Sequence, residues 1–144
     1  MVKNVHIYSI SGIKIDKIQI HKLLSFLIKQ LNITIKTLEI NFINSKEIHQ
    51  LNEKHLGHNY STDIITFGYS ENLQILDGEL FISVDDAKEN AKRFNVSLKN
   101  ELIRLVIHGI LHLIGYDDKK DSKKLVMKSQ ENLLLNNFCK LQRK

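Results

Sequence analysis

The sequence predicts an α+β fold, a small mixed sheet of four strands packed with about five helices. Three observations predict it. Short β-branched stretches alternate apolar and polar residues, as half-buried strands do. Between and after them, apolar residues recur at steps of three and four, as on helices with one buried face. Aspartate or serine stands just ahead of several of those helical stripes, where a side-chain oxygen can cap the first free N–H groups.

The elements follow in order. Val5 to Ile15 alternates through Val5, Ile7, Ile13 and Ile15 and reads as a strand interrupted at Gly12. Asp16 caps a helix whose Ile20, Leu23, Leu24, Leu27 and Leu31 form one stripe. Thr37 to Ile43 is a second strand, and Ser45 caps a helix through about His55 with Ile48 and Leu51 inward. Gly57 to Ser61 is a loop. Asp63 to Tyr69, β-branched and aromatic, is a strand, and a polar turn leads to another over Glu79 to Val84. Asp85 and Asp86 open a short helix carrying Lys88, Lys92 and Arg93. Ser97 caps the next, which runs to about Ile114, buries Leu102, Leu105, Val106, Ile110 and Leu113, and ends at Gly115. Asp121 or Ser122 starts a final helix with Leu125, Leu133, Leu134 and Phe138 toward the core, and the basic Lys140 to Lys144 fray. The expected arrangement is the sheet packed on one helical layer.

Composition bounds the class. The 144 residues read as one domain spanning 1–144, long enough for a sizeable core. Hydrophobic residues make up 42% and charged residues 26%, ordinary for a water-soluble domain. No apolar run approaches the ~20 residues of a membrane span. Met1-Val2-Lys3-Asn4-Val5-His6 lacks the apolar stretch of a signal peptide. One cysteine, Cys139, permits no internal disulfide and fits a reducing cytoplasm. The net charge of +5 favours a polyanionic partner, since phosphates supply non-specific affinity to basic surfaces.

The chemistry concentrates in His108-Gly109-Ile110-Leu111-His112-Leu113-Ile114-Gly115-Tyr116-Asp117-Asp118. Two histidines four apart on a helix stack on one face, one turn apart, and can share one metal ion. Gly115 can end that helix left-handed and turn the chain back, so that Asp117 or Asp118 closes a third coordination position. Three protein ligands and an open site describe a catalytic rather than a structural zinc. Zinc peptidases carry a glutamate after the first histidine as general base. Gly109 stands there and can move no proton, which disfavours a peptidase.

The run H-G-I-L-H-L-I-G-Y from His108 to Tyr116 resembles the H-G-x-L-H-L-x-G-Y-D-H signature of the YbeY family of bacterial metal-dependent endoribonucleases. Two further matches precede it in family order. Leu51-Asn52 with Ser61-Thr62-Asp63-Ile64-Ile65-Thr66-Phe67 is similar to L-N…P-T-D-V-L-S-F, and Gly78-Glu79-Leu80-Phe81-Ile82-Ser83 to the G-D-I-x-I-S strand. The resemblance covers Leu51 to Asp118. It implies a small mixed sheet beside a zincin-like metal helix, and cleavage of single-stranded ribosomal RNA near the 3′ end of the small-subunit RNA, with a part in ribosome quality control. It further implies partnership with the small subunit and assembly factors, and one Zn2+ or another divalent ion activating the water that attacks a phosphodiester.

Two positions depart from the pattern. The family's third histidine falls on Asp118, an anionic ligand that weakens the metal as a Lewis acid and shifts preference toward harder ions. Leu56 stands where the family commonly has an arginine, with His58 as a partial substitute.

His108, His112 and Asp118 are therefore the expected metal ligands, with Asp117 as rival to Asp118 and as an orienting or catalytic group. The general base stays open among Asp63, Glu79 and Asp117, each of which reads equally well as a cap or surface charge. Thr62 and Thr66 are candidate phosphate donors or ordinary strand hydroxyls. Tyr116 either stacks on a base or packs under the turn. Lys119 and Lys120, with Lys123 and Lys124, form a track for RNA near the metal or an exposed helix start, and Lys88, Lys92 and Arg93 form a second basic patch. The alternatives to a nuclease are a non-catalytic, metal-stabilised ribosome-assembly protein that binds RNA and, behind it, a metallopeptidase-like hydrolase.

Overall fold

A computed structural model describes residues 1–10, 12–56 and 62–143. In chain order the elements are β1 (Val5–Ser9), α1 (Lys17–Leu31), β2 (Thr34–Ile43), α2 (Ser45–Leu56), β3 (Ile64–Gly68), β4 (Ile75–Ser83), α3 (Val84–Arg93), α4 (Leu98–Leu113) and α5 (Asp121–Gln142). The sheet order is β1-β2-β4-β3. β1 and β4 run parallel to β2, and β3 runs antiparallel to β4, so the sheet is mixed and the fold is α+β.

Strand alternation sorts the sheet into two faces. Leu38, Ile40 and Phe42 of β2 and Leu76, Leu80 and Ile82 of β4 enter the main core with Leu23, Leu24 and Leu27 of α1 and Val106, Ile107 and Ile110 of α4. Ile65, Ile43 and, partly buried, Phe67 and Phe81 point the other way and pack with Ile48 and Leu51 of α2. The helices therefore do not form one layer as expected. The edge pair β3–β4 carries apolar residues on both faces, and α2 covers the second.

Several element bounds move for tertiary reasons. β1 ends at Ser9, and Ile13 and Ile15 pack on the core from the connection instead of a strand. β2 and β4 start earlier than their local pattern, because Thr34 pairs with Ile75 across the ladder and the Thr34 N–H donates to Gln74 O at 2.9 Å. The α2 cap is Asn44, whose Oδ1 accepts from the Glu47 N–H at 2.8 Å. Ser45 is helical, and its N–H donates to Asp85 Oδ2. Ser83 caps α3, ahead of Asp85 and Asp86. Asp16 and Ser97 cap α1 and α4 as expected. On α5, Leu125 and Leu133 are exposed at 71% and 53%, and the buried stripe is Met127, Glu131, Leu134 and Phe138. That helix runs on to Gln142 where fraying was expected. Among the described residues no helix is long and apolar enough to cross a membrane.

α4 is the helix that positions the site. Gly109 faces the sheet, where an added Cβ would lie 2.7 Å from Leu80 Cδ2 and 3.0 Å from Ile64 Cδ1. The missing side chain lets α4 sit close on β3 and β4. With position 109 filled by that contact, a peptidase-type glutamate has no room there.

Candidate metal centre

Gly115 closes α4 at φ +106°, a conformation that costs glycine little. The Tyr116 N–H donates to Leu111 O at 3.0 Å and the Gly115 N–H to His112 O at 3.1 Å. These paired bonds form a Schellman ending and reverse the chain over the last turn of α4. The reversal returns Asp118 to the histidine face. Asp118 Oδ1 lies 3.6 Å from His112 Nε2, and its Oδ2 lies 3.9 Å from His108 Nε2. The two imidazoles stand 5.0 Å apart, edge to face. One donor atom from each of the three residues lies within 4.8 Å of the other two. A tetrahedron with zinc–nitrogen arms of ~2.0–2.1 Å has edges of roughly 3.3 Å, so small side-chain rotations seat an ion. The donor set, two imidazoles and a carboxylate with one side open to solvent, suits a divalent metal of the catalytic type.

The ligand environment is built from buried charge. His108 Nδ1 lies 2.8 Å from Glu131 Oε2. A carboxylate there accepts a hydrogen bond from Nδ1–H, keeping the proton on Nδ1 and leaving the Nε2 lone pair facing Asp118. Glu131 Oε1 accepts from Arg104 Nη1 at 2.5 Å, and Arg104 forks onto Glu101 at 2.8 and 2.6 Å. Both glutamates are 1% exposed. Burial pushes the Glu131 carboxyl up, but its bonds with His108 and Arg104 outweigh that and leave it below the usual range. The fork to Glu101, against the opposing effect of burial, holds Arg104 charged well above even its ordinary range. Asn90 Nδ2 extends the network, donating to Glu101 Oε2 at 3.3 Å and to Asp63 Oδ2 at 3.1 Å. His112 is held below its usual value by burial, then by His108, with the nearby aspartates opposing, so its ring favours the neutral form that a metal needs.

The sequence-level candidates do not all meet. His108, His112 and Asp118 do, and Asp63 lines the same cleft as His108 and Asp118. Asp117 turns aside: its Oδ1 accepts from the Lys119 N–H at 3.2 Å and its Oδ2 lies 3.5 Å from Lys123 Nζ. The bond from Lys119, only partly opposed by desolvation, holds its carboxyl below the usual range. Glu79, on the interior strand β4, accepts from the Tyr69 hydroxyl at 2.9 Å. Tyr116 is partly buried against the main core and lines a separate hollow with Leu73 and Val126. Thr62 donates to Ile64 O at 3.4 Å, and Thr66 is half-buried on β3 opposite Leu80. Lys119 and Lys120 are exposed on the turn that carries Asp118. His58 lies outside the described residues.

Glu131, Arg104, Glu101 and Asn90 escaped the sequence reading. A signal was present. Glu131 interrupts the apolar stripe of α5, and Glu101 and Arg104 do the same on α4, where an unpaired charge would not be buried.

The family model described as Endoribonuclease YbeY matches residues 7–139. A protein of Chlorobium phaeobacteroides (strain DSM 266) named Endoribonuclease YbeY is 36% identical over 138 residues, 96% of each chain. Its namesake from Chlorobium limicola is 47% identical over 97 residues, 67% of each chain, and that from Karelsulcia muelleri is 40% identical over 114 residues, 79% of this chain and 80% of its own. The solution structure of TM1509 from Thermotoga maritima has the same fold, with a TM-score of 0.66 and 23% identity, over 96% of this chain and 91% of that one. The match over nearly the whole length places this chain in the YbeY endoribonuclease family.

Proposed function

We propose that this chain is a metal-dependent endoribonuclease that cuts single-stranded ribosomal RNA in the cytoplasm. The proposed role covers maturation of the small-subunit RNA 3′ end and ribosome quality control, beside the small subunit and its assembly factors. The observation that carries the reading is the convergence of His108, His112 and Asp118, two of which line a cleft, in a chain whose relatives are named endoribonucleases.

His108, His112 and Asp118 would hold the ion, with Zn2+ as first choice and a harder divalent metal favoured by the carboxylate. When bound, such an ion would supply Lewis acidity and lower the pKa of a water toward ~7. The other roles belong to the chain itself. Glu131 fixes the His108 ring. Asn90 occupies Oδ2 of Asp63, which leaves Oδ1 as the oxygen to accept a proton in the cleft. Asp63 is therefore the preferred base, and Asp117, tied to Lys119 and Lys123, acts by shaping the turn that presents Asp118. Lys119 and Lys120 attract the phosphate backbone.

The test compares single-stranded RNA cleavage by the wild type, by His112→Ala and by chelated protein, with double-stranded RNA as control. The expected result is cutting of the single strand by the metal-loaded wild type alone. Equal cutting in all three samples traces the activity to a contaminant and overturns the reading. RNA bound but never cut, with metal present, favours the non-catalytic assembly protein.

A further inference from the structure

The cleft does not stop at the metal ligands. It encloses about 720 Å³ and reaches from His108, Asp118 and Lys124 to Phe94, Asn100 and Arg143. α4 and α5 run antiparallel along it, so it leads away from the metal centre. From His108 back to Asn100 is eight residues, about 12 Å at the helical rise, more than one nucleotide. Two of its four acids, Glu101 and Glu131, are buried on the floor, where Arg104 bridges them and Lys128 Nζ lies 3.9 Å from Glu131 Oε1; Asp63 and Asp118 are the other two. Its rim is cationic: Arg93, Lys124, Lys128 and Arg143 are all exposed. At the far end Phe94 is 58% exposed on the turn after α3, although the chain has ample core to bury a phenylalanine. Exposed cations tracking a groove, with an aromatic ring to stack a base, make up the ordinary apparatus for single-stranded nucleic acid.

We infer that this groove between α5 and the α3–α4 turn binds the RNA strand on one side of the cut, with Phe94 stacking a base and Arg93 and Arg143 holding phosphates. The inference rests on the ribonuclease reading and adds a binding subsite to it. It gives the +5 chain a defined place for the polyanion, apart from the lysines beside Asp118.

The test uses metal-free full-length protein, a fluorescent oligo-adenylate and anisotropy across a salt series. Phe94→Ala weakens binding roughly fivefold to a hundredfold and leaves the salt slope unchanged, because stacking involves no counterion release. The pair Arg93→Gln with Arg143→Gln flattens the slope of log K against log salt by about 1.4, from ~0.7 for each lost phosphate contact to a single strand. Lys29→Gln with Lys36→Gln, which removes the same charge outside the groove, leaves it unchanged. If the two pairs flatten the slope equally, attraction is merely global and the groove is refuted. If Phe94→Ala and the arginine pair both bind like wild type, RNA lies elsewhere and the exposed Phe94 and Val96 serve a protein partner. Cleavage by zinc-loaded wild type is measured in parallel. RNA cut normally by every groove variant defeats the groove alone, whereas RNA neither bound nor cut by the wild type defeats the ribonuclease reading with it.

Discussion

Replacing Glu131 by glutamine tests how the proposed metal centre would be held. The change keeps the volume and removes one charge at a site 1% exposed. Arg104 retains its fork to Glu101 at 2.8 and 2.6 Å, so the ~3–5 kcal/mol cost of orphaning a buried charge does not apply in full. What is lost is a charge-assisted hydrogen bond, about 1.5–3 kcal/mol of stability. The amide must also choose. If its oxygen faces Arg104, its NH2 faces His108 Nδ1 and drives the ring proton to Nε2, where the ion needs a lone pair. If its oxygen faces His108, two donors oppose each other at Arg104. Either way zinc affinity falls, by about 10- to 100-fold, the usual effect of removing a partner behind a ligand. The assay is competition for zinc with a chromophoric chelator, alongside urea unfolding of the metal-free protein. Leu134→Ala, on the same buried stripe, is the control: it costs about 2–5 kcal/mol of stability but leaves the zinc affinity of the folded protein intact. If Glu131→Gln loses stability and keeps wild-type zinc affinity, the carboxylate is only structural and the argument about the His108 ring is wrong.

Three further outcomes are expected. Gly109→Ala pushes a methyl into Leu80 and Ile64 and destabilises by about 1–3 kcal/mol in urea, because the core beneath α4 has no slack. Gly115→Ala forces a side chain to φ +106° and against Leu73, costing about 1–3 kcal/mol; zinc affinity falls with it because the turn sets Asp118. Among the described residues the buried Nδ1 of His21 has no partner, and burial, aided by the Met1 ammonium, lowers its pKa from 6.5. The unfolded chain then binds more protons than the fold below about pH 6.5, so stability is present above that pH and declines as pH falls through the folded pKa. Thermal melts of His21→Leu at neutral and mildly acid pH show a smaller acid loss than the wild type.

What depends on neighbours along the chain was legible without the fold. The stripes of α1 and α4, the caps at Asp16 and Ser97, the stop at Gly115 and the stacking of His108 over His112 are local geometry, set by 3.6-residue periodicity and backbone dihedrals. Helical spacing alone left Asp117 and Asp118 open as the acid beside the histidines; the resemblance pointed to Asp118, and the folded turn separates the two. Asp117 and Asp118 are adjacent and chemically alike; the Schellman turn spends one on Lys119 and returns the other to the helix face. Only the tertiary structure decided the place of Glu131, which meets His108 from 23 residues away because α4 and α5 pack side by side, and of α2, whose side of the sheet follows from the apolar residues β3 and β4 place there. Contacts between distant segments follow from how faces fit together, and a periodic pattern in one segment carries no record of the surface it will meet.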